Sequence, residues 1–163
     1  MRAAARCSSN RVAEALAQTA ERWRKREFAP RRETVVKLSS ALGMSLALID
    51  ESLDALFEPV TAAALESLVA RVPATNRLIG LVMAGNVPGA GIQEVCAALL
   101  AGAGLVIKSA SSEPLFFANF VRTLAEIDAA VAGRVAVVNF GRDDGGAMRE
   151  LWAACDGGVV AYG

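Results

Sequence analysis

The chain has 163 residues, with 17 Lys plus Arg balancing 17 Asp plus Glu, and it contains no histidine. That length suits about one domain, and the balanced charge offers no net field to nucleic acid or an anionic membrane. The missing imidazole excludes mechanisms that need one as base, while Cys7, Cys96 and Cys155 lack metal-ligand spacing and favour a reducing cytoplasm over a disulfide framework.

Residues 1–72 read as a helical region. The start, Met1-Arg-Ala-Ala-Ala-Arg6, lacks the apolar core of a secretory signal. Val12, Leu16, Ala20 and Trp23 recur at helical spacing, with Asn10 as the expected N-cap. Arg22, Arg24, Lys25, Arg26, Arg31 and Arg32 surround Trp23 and Phe28. A solvated helix end and loop accounts for this basic stretch, and a docking face for an anionic ligand or partner is the alternative. Val35, Leu38, Ser39 and Leu42 predict a second helix that Gly43 terminates. Ser45 caps a third, with Leu46, Ile49, Leu53 and Leu56 on one face and Pro59 as its stop. Thr61 opens a fourth through Leu65, Leu68 and Val69, ended near Pro73.

From residue 73 to 163 the period changes. Arg77 to Ala84 is a short apolar run of the kind found in buried parallel strands. Gly91 to Ala101 predicts a helix, and Gly104-Leu-Val-Ile-Lys108 a second strand. Pro114 suits the first turn of a helix carrying Phe116, Phe117, Phe120, Leu124 and Ile127. Arg134 to Phe140 is a third strand, Asp143 or Asp144 starts a last helix through Leu151 and Trp152, and Gly158 to Tyr162 is a fourth strand. Strands alternating with single helices imply βαβ units and a parallel sheet, so the fold class is α/β. The longest uncharged run, Leu78 to Gln93, is interrupted by Asn86, Pro88 and glycines and falls short of the roughly 20 residues a spanning helix needs. A soluble protein with no membrane span is expected.

Ligands of such sheets sit beyond the carboxyl ends of the strands, where the strand order reverses. Gly85–Gly91 and Lys108–Ser112 are expected there. The helix starting near Gly91 offers unpaired N–H groups to an anion. The loop is neither G-x-G-x-x-G nor a P-loop. Composition and spacing stop at an α/β domain, with nucleotide binding one option.

Several ordered motifs go further. Gly85-Asn86-Val87-Pro88-Gly89, then Ala98-Leu-Leu-Ala-Gly102, then Lys108-Ser-Ala-Ser-Ser-Glu-Pro-Leu-Phe116 resemble the LuxC-type acyl-CoA reductases. These are fatty-acyl-CoA or acyl-protein reductases of the aldehyde dehydrogenase superfamily. Glu21-Arg-Trp-Arg24, Pro30-Arg-Arg32 and Leu53-Asp-Ala-Leu-Phe57 are similar to that family's helical amino-terminal region, and Cys155-Asp156 through Gly163 to its next Rossmann strand.

The resemblance implies a helical region, 1–72, followed by a partial Rossmann-like nicotinamide-cofactor domain, 73–163. It implies reduction of a fatty acyl-CoA or acyl-carrier substrate to aldehyde. A cysteine thiolate takes the acyl group, NADPH or NADH delivers hydride, and a thiohemiacetal collapses. Ala84-Gly85-Asn86-Val87-Pro88 matches the superfamily's Pro-Trp-Asn-Phe-Pro loop at the asparagine and the second proline. Asn86 is thereby the expected oxyanion donor, with a locally bonded turn residue as the alternative. Gly85 is expected at the cofactor with it. Lys108 matches the lysine that reaches the adenine ribose or its 2′-phosphate. Ser111 stands where many relatives place a ribose-binding glutamate, which favours NADPH over NADH.

Cys96, on an apolar helix face, and Cys155, at a helix end, read as core residues rather than nucleophiles. The family's nucleophile comes from a second domain, so the expectation is a fragment that lacks it. A non-catalytic nucleotide-binding or interaction module is the alternative. An open sheet edge should leave such a chain marginal, aggregating or homo-oligomeric.

Overall fold

The structure, a computed structural model, describes residues 9–156 and 159–161. Cys7, together with Gly158 and Tyr162 of the expected fourth strand, lies outside the described residues. Four helices come first: α1 (Ser9–Arg24), α2 (Ala29–Leu42), α3 (Leu46–Phe57) and α4 (Ala62–Val69). The α/β unit follows as β1 (Leu78–Val82), α5 (Ile92–Ala101), β2 (Gly104–Lys108), α6 (Leu115–Ile127), α7 (Ala129–Ala132), β3 (Val135–Val138), α8 (Gly145–Ala154) and β4 (Val159–Ala161).

Local chemistry sets most of these boundaries. Gly43 closes α2 in the left-handed region at φ 66°. Ser45 Oγ accepts from the Leu48 N–H at 3.2 Å, and Thr61 Oγ1 from the Ala64 N–H at 3.2 Å, as N-caps should. Asn10 is not a cap, because α1 already includes Ser9. Leu46 is exposed rather than inward-facing, and Phe57 joins Ile49 and Leu53 on the buried face of α3.

The short α7 was not expected. Its N-cap is Asp128, whose Oδ1 accepts from the Ala130 and Val131 N–H groups while Arg11 donates to the same carboxylate. The Arg11 hydrogen bond first, with the Val131 and Ala130 N–H groups adding and burial opposing, holds this carboxyl below the usual aspartate range. A lowered folded-state pKa contributes stability above the unfolded pKa and loses it as pH falls through the folded one. Asp128→Ala should therefore cost about 1–2 kcal/mol at neutral pH. Urea unfolding should show the gap to wild type shrinking in acid, and a gap independent of pH would contradict the assignment.

The helical region and the α/β unit share one core. Trp23, fully buried, stacks on Phe57 at 5.6 Å between ring centroids and meets Phe116 edge-on at 5.2 Å. Its indole N–H donates to Thr123 Oγ1, which donates to the Asn119 carbonyl. The Asn119 amide donates to Thr34 Oγ1, which donates to the Pro30 carbonyl. Aromatic burial and a satisfied polar chain thus lock α1 and α2 onto α6.

The solvated reading of the basic stretch holds for Lys25, Arg26 and Arg32, which are exposed, but not for Arg31. Arg31 is fully buried, donating to Asp50 Oδ1 at 2.9 Å, Asp54 Oδ1 at 2.7 Å and the Trp23 carbonyl at 2.7 Å. A buried guanidinium needs such partners to offset its desolvation. Burial pushes the Asp54 carboxyl up, but hydrogen bonds from Arg26 and Arg31 prevail and hold it below the usual range. Arg24 donates to the Phe57 and Val60 carbonyls at the end of α3, and Arg22 pairs with Glu126 at 2.8 Å. Arg24 and Arg31 knit the helical layer together and Arg22 ties it to α6, while Lys25 and Arg32 are exposed, with no ion pair among the described residues.

The sheet is parallel throughout, in the order β3-β2-β1-β4. Period-two alternation puts Ile79, Leu105 and Val135, then Leu81, Ile107 and Val137, in register on the core face. Gly80, Val106 and Ala136, then Val82, Lys108 and Val138, form rows on the other face. The carboxyl end of that second row is where the candidate site begins.

Candidate functional site

The loops leaving β1 and β2 lie against one another. Val82 is in register with Lys108, and the Met83 N–H donates to the Lys108 carbonyl at 3.0 Å, prolonging the pairing by one residue. At Gly85 a Cβ would collide with Ser112 Oγ and lie 3.0 Å from the Ala110 Cβ. The close contact between the two loops therefore favours glycine there, whatever Gly85 does for a ligand. Gly89 sits at φ 67°, and a Cβ would strike Leu56 and lie 2.8 Å from Phe116 Cζ, so the loop is seated on the helical layer. Between these two anchors Asn86 is exposed, and its side chain makes no hydrogen bond among the described residues.

Lys108 ends β2 on the face opposite the core. It is only 4% exposed, and its Nζ lies 5.3 Å from the centroid of the Phe140 ring. Among the described residues it has no carboxylate or hydrogen-bond acceptor. Phe140 follows Val138 by two residues, which returns it to the face on which Lys108 lies. Side-chain bonds fix this end of β3: Ser111 Oγ donates to the Phe140 carbonyl and the Asn139 amide donates to the Ala110 carbonyl, each at 3.2 Å. Ser109, the residue after β2, is 1% exposed, and its hydroxyl has no partner among the described residues.

The loop's single carboxylate is Glu113. Its Oε1 accepts from the Leu115 and Phe116 N–H groups at 3.0 and 2.7 Å, capping α6. Burial pushes this carboxyl up from the usual range, opposed by the Phe116 and Leu115 N–H groups. Glu113 and Phe140 were not foreseen as parts of the site. Glu113 precedes the Pro114 N-cap instead of occupying the third helical position of a capping box, so the usual signal for the first was missing. Nothing local announced the second, which reaches Lys108 only through strand register.

The strand order moves one expectation. It reverses between β1 and β4, so Gly85–Gly91 lies at the reversal and Lys108–Ser112 one strand away. The start of α5 is also a poorer anion site than its glycines suggested. The Ile92 N–H donates to the Gly89 carbonyl, and Glu94 occupies the first turn.

Cys96 is 2% exposed, with its thiol pushed up to about 12 by burial and, less, by Glu94. Cys155 closes α8, its thiol raised by burial and then by Asp156. Neither is poised as a thiolate at neutral pH. Among the described residues no cluster of three or more His, Cys, Asp or Glu could hold a metal, and no helix is long and apolar enough to cross a membrane.

Comparison with known proteins places this geometry. HpcC from Thermus thermophilus superposes with a TM-score of 0.69 at 17% identity, over 88% of this chain and 30% of its own. An NAD-dependent benzaldehyde dehydrogenase from Corynebacterium glutamicum gives 0.64 at 20% identity, over 82% and 31%. Succinic semialdehyde dehydrogenase from Streptococcus pyogenes, solved in complex with NADP+ as the cofactor, gives 0.63 at 17% identity, over 84% and 33%. The fold is thus that of an aldehyde dehydrogenase's α/β unit with its helical lead-in, and the chain spans about a third of the length of these structures. No curated protein sequence matches. The profile of the acyl-CoA reductase (LuxC) family matches residues 70–163, taking in both loops, Lys108 and Phe140, so the chain belongs to that family.

Proposed function

We propose that this chain forms the cofactor-holding, amino-terminal part of an NAD(P)H-dependent reductase that converts a fatty acyl-CoA or acyl-carrier thioester to the aldehyde. The observation that carries the reading is Lys108: a lysine only 4% exposed, whose ammonium has an aromatic neighbour and no carboxylate among the described residues. An ammonium held beside a ring, with no carboxylate to neutralise it, is free to take an anion through a charge-assisted hydrogen bond. The 2′-phosphate of an adenosine supplies one, so the residues present fit the adenosine end of a nicotinamide cofactor.

Lys108 would bind that phosphate, with Gly85 and Ser111 lining the two loops beside it. Ser111 brings no negative charge, and Glu113 is committed to capping α6, which together favour NADPH over NADH. When bound, the nicotinamide supplies the reducing equivalents for the acyl carbon. Asn86, exposed and with an unbonded amide, would donate to the acyl oxygen as it gains charge. The attacking cysteine thiolate is neither Cys96 nor Cys155, whose thiols are raised rather than lowered. It would come from a further domain of the intact enzyme.

Calorimetric titration with both cofactors tests this. Lys108→Ala should weaken NADP+ binding by about 1.5–3 kcal/mol, the range for a hydrogen bond to a charged group, and NAD+ far less. Equal losses for the two cofactors would overturn the assignment.

A further inference from the structure

We propose that Phe140 is a positioning residue that holds the Lys108 ammonium in place, and so sets the preference of this site for a 2′-phosphorylated adenosine. The inference rests on the cofactor reading above and adds a residue that acts only through Lys108. Its basis is threefold. The Phe140 ring lies 5.3 Å from Lys108 Nζ and is the described partner of an otherwise unpaired ammonium on a lysine only 4% exposed. The backbone on either side of the ring is tied down, by Ser111 on the Phe140 carbonyl and by Asn139 on the Ala110 carbonyl. Finally, the three strands place Val82, Lys108 and Val138 in one row, so the lysine has apolar neighbours on both sides and the ring beyond them.

A lysine stem has several rotatable bonds, and in such a setting the ammonium would otherwise swing toward solvent. An aromatic face attracts the cation without neutralising it, whereas a carboxylate would both fix it and repel a phosphate. The ring therefore keeps the charge aimed and available. Ser111 contributes indirectly as well, because its hydroxyl anchors the Phe140 backbone.

The test uses the full chain and adenosine 2′,5′-bisphosphate, with adenosine 5′-monophosphate as the control lacking the 2′-phosphate. Proton NMR of the ligand-free chain should show the Lys108 ε-methylene signals shifted upfield by the ring current. That shift should vanish in Phe140→Leu and persist in Phe140→Tyr. Phe140→Leu should weaken the bisphosphate about two- to fivefold, as expected for loss of a cation–π contact whose ammonium still reaches solvent, and change the monophosphate much less. Phe140→Tyr should restore binding, and in a Lys108→Ala background Phe140→Leu should have no further effect. Equal loss for both ligands, or a full Phe140→Leu effect without Lys108, would overturn the positioning role. So would undiminished bisphosphate binding in Phe140→Leu beside a loss in Lys108→Ala, which would leave the cofactor reading standing. No loss in Lys108→Ala, or no binding at millimolar bisphosphate, would overturn both.

Discussion

Trp23→Ala is expected to destabilise the chain by about 3–5 kcal/mol, the cost of truncating a fully buried aromatic. Trp23 is the ring through which α1 meets α3 and α6, packing on Phe57, Phe116 and Phe120. Truncation opens a cavity among those rings and leaves Thr123 without its indole donor. Because single domains are stable by only about 5–15 kcal/mol, this change removes a large share of the total. Trp23→Phe should recover part of the loss, since it refills most of the space but cannot donate to Thr123. Equilibrium urea unfolding would measure both, and a Trp23→Ala chain within about 1 kcal/mol of wild type would show that the helical layer is not locked as described.

Asn86→Ala should lower turnover about a hundredfold or more in a reductase that carries this segment with its cysteine-bearing domain, the usual effect of removing one oxyanion donor. The amide is exposed and unbonded within the described chain, while Pro88 and Gly89 beyond it are buried and fix where the loop sits. Cofactor binding should scarcely change, because the amide is assigned to the reacting oxygen and not to the adenosine. The steady-state rate with acyl-CoA, set beside cofactor affinity in the same variant, separates these outcomes. A variant that keeps its rate but loses cofactor would move Asn86 from the reacting carbon to the cofactor.

The sequence was most legible where the chemistry is local. Ser45 and Thr61 were readable as N-caps because a short hydroxyl before an apolar run has one low-energy use, and Gly43 marked a helix end for a similar reason. The alternation of strands and helices led to the parallel sheet, and the spacing of polar clusters to the strand ends. What could not be read depends on partners far along the chain. Arg31 looked like part of a solvated basic run, yet Asp50 and Asp54 make its burial tolerable. Asn10 had the right side chain for a cap but α1 starts ahead of it. The helix α7 is only one turn long, below the length at which periodicity signals a helix, and Asp128 was its sole local sign. At the candidate site, the β1 loop and the lysine were recognisable from motif order. Phe140 was not, because it faces Lys108 only through the β2–β3 register.

The most direct test of the central claim is a residue-by-residue NMR titration of the isotopically labelled chain with NADP+, adenosine 2′,5′-bisphosphate and nicotinamide mononucleotide. If the chain holds the adenosine end of the cofactor, the first two ligands should shift a common set of amides. That set should comprise Met83–Gly91, Lys108–Glu113 and Asn139–Phe140, and the mononucleotide should leave it nearly unmoved. Shifts centred instead on the exposed Lys25 and Arg32 of the helical region, or the same loops responding to the mononucleotide alone, would contradict the account.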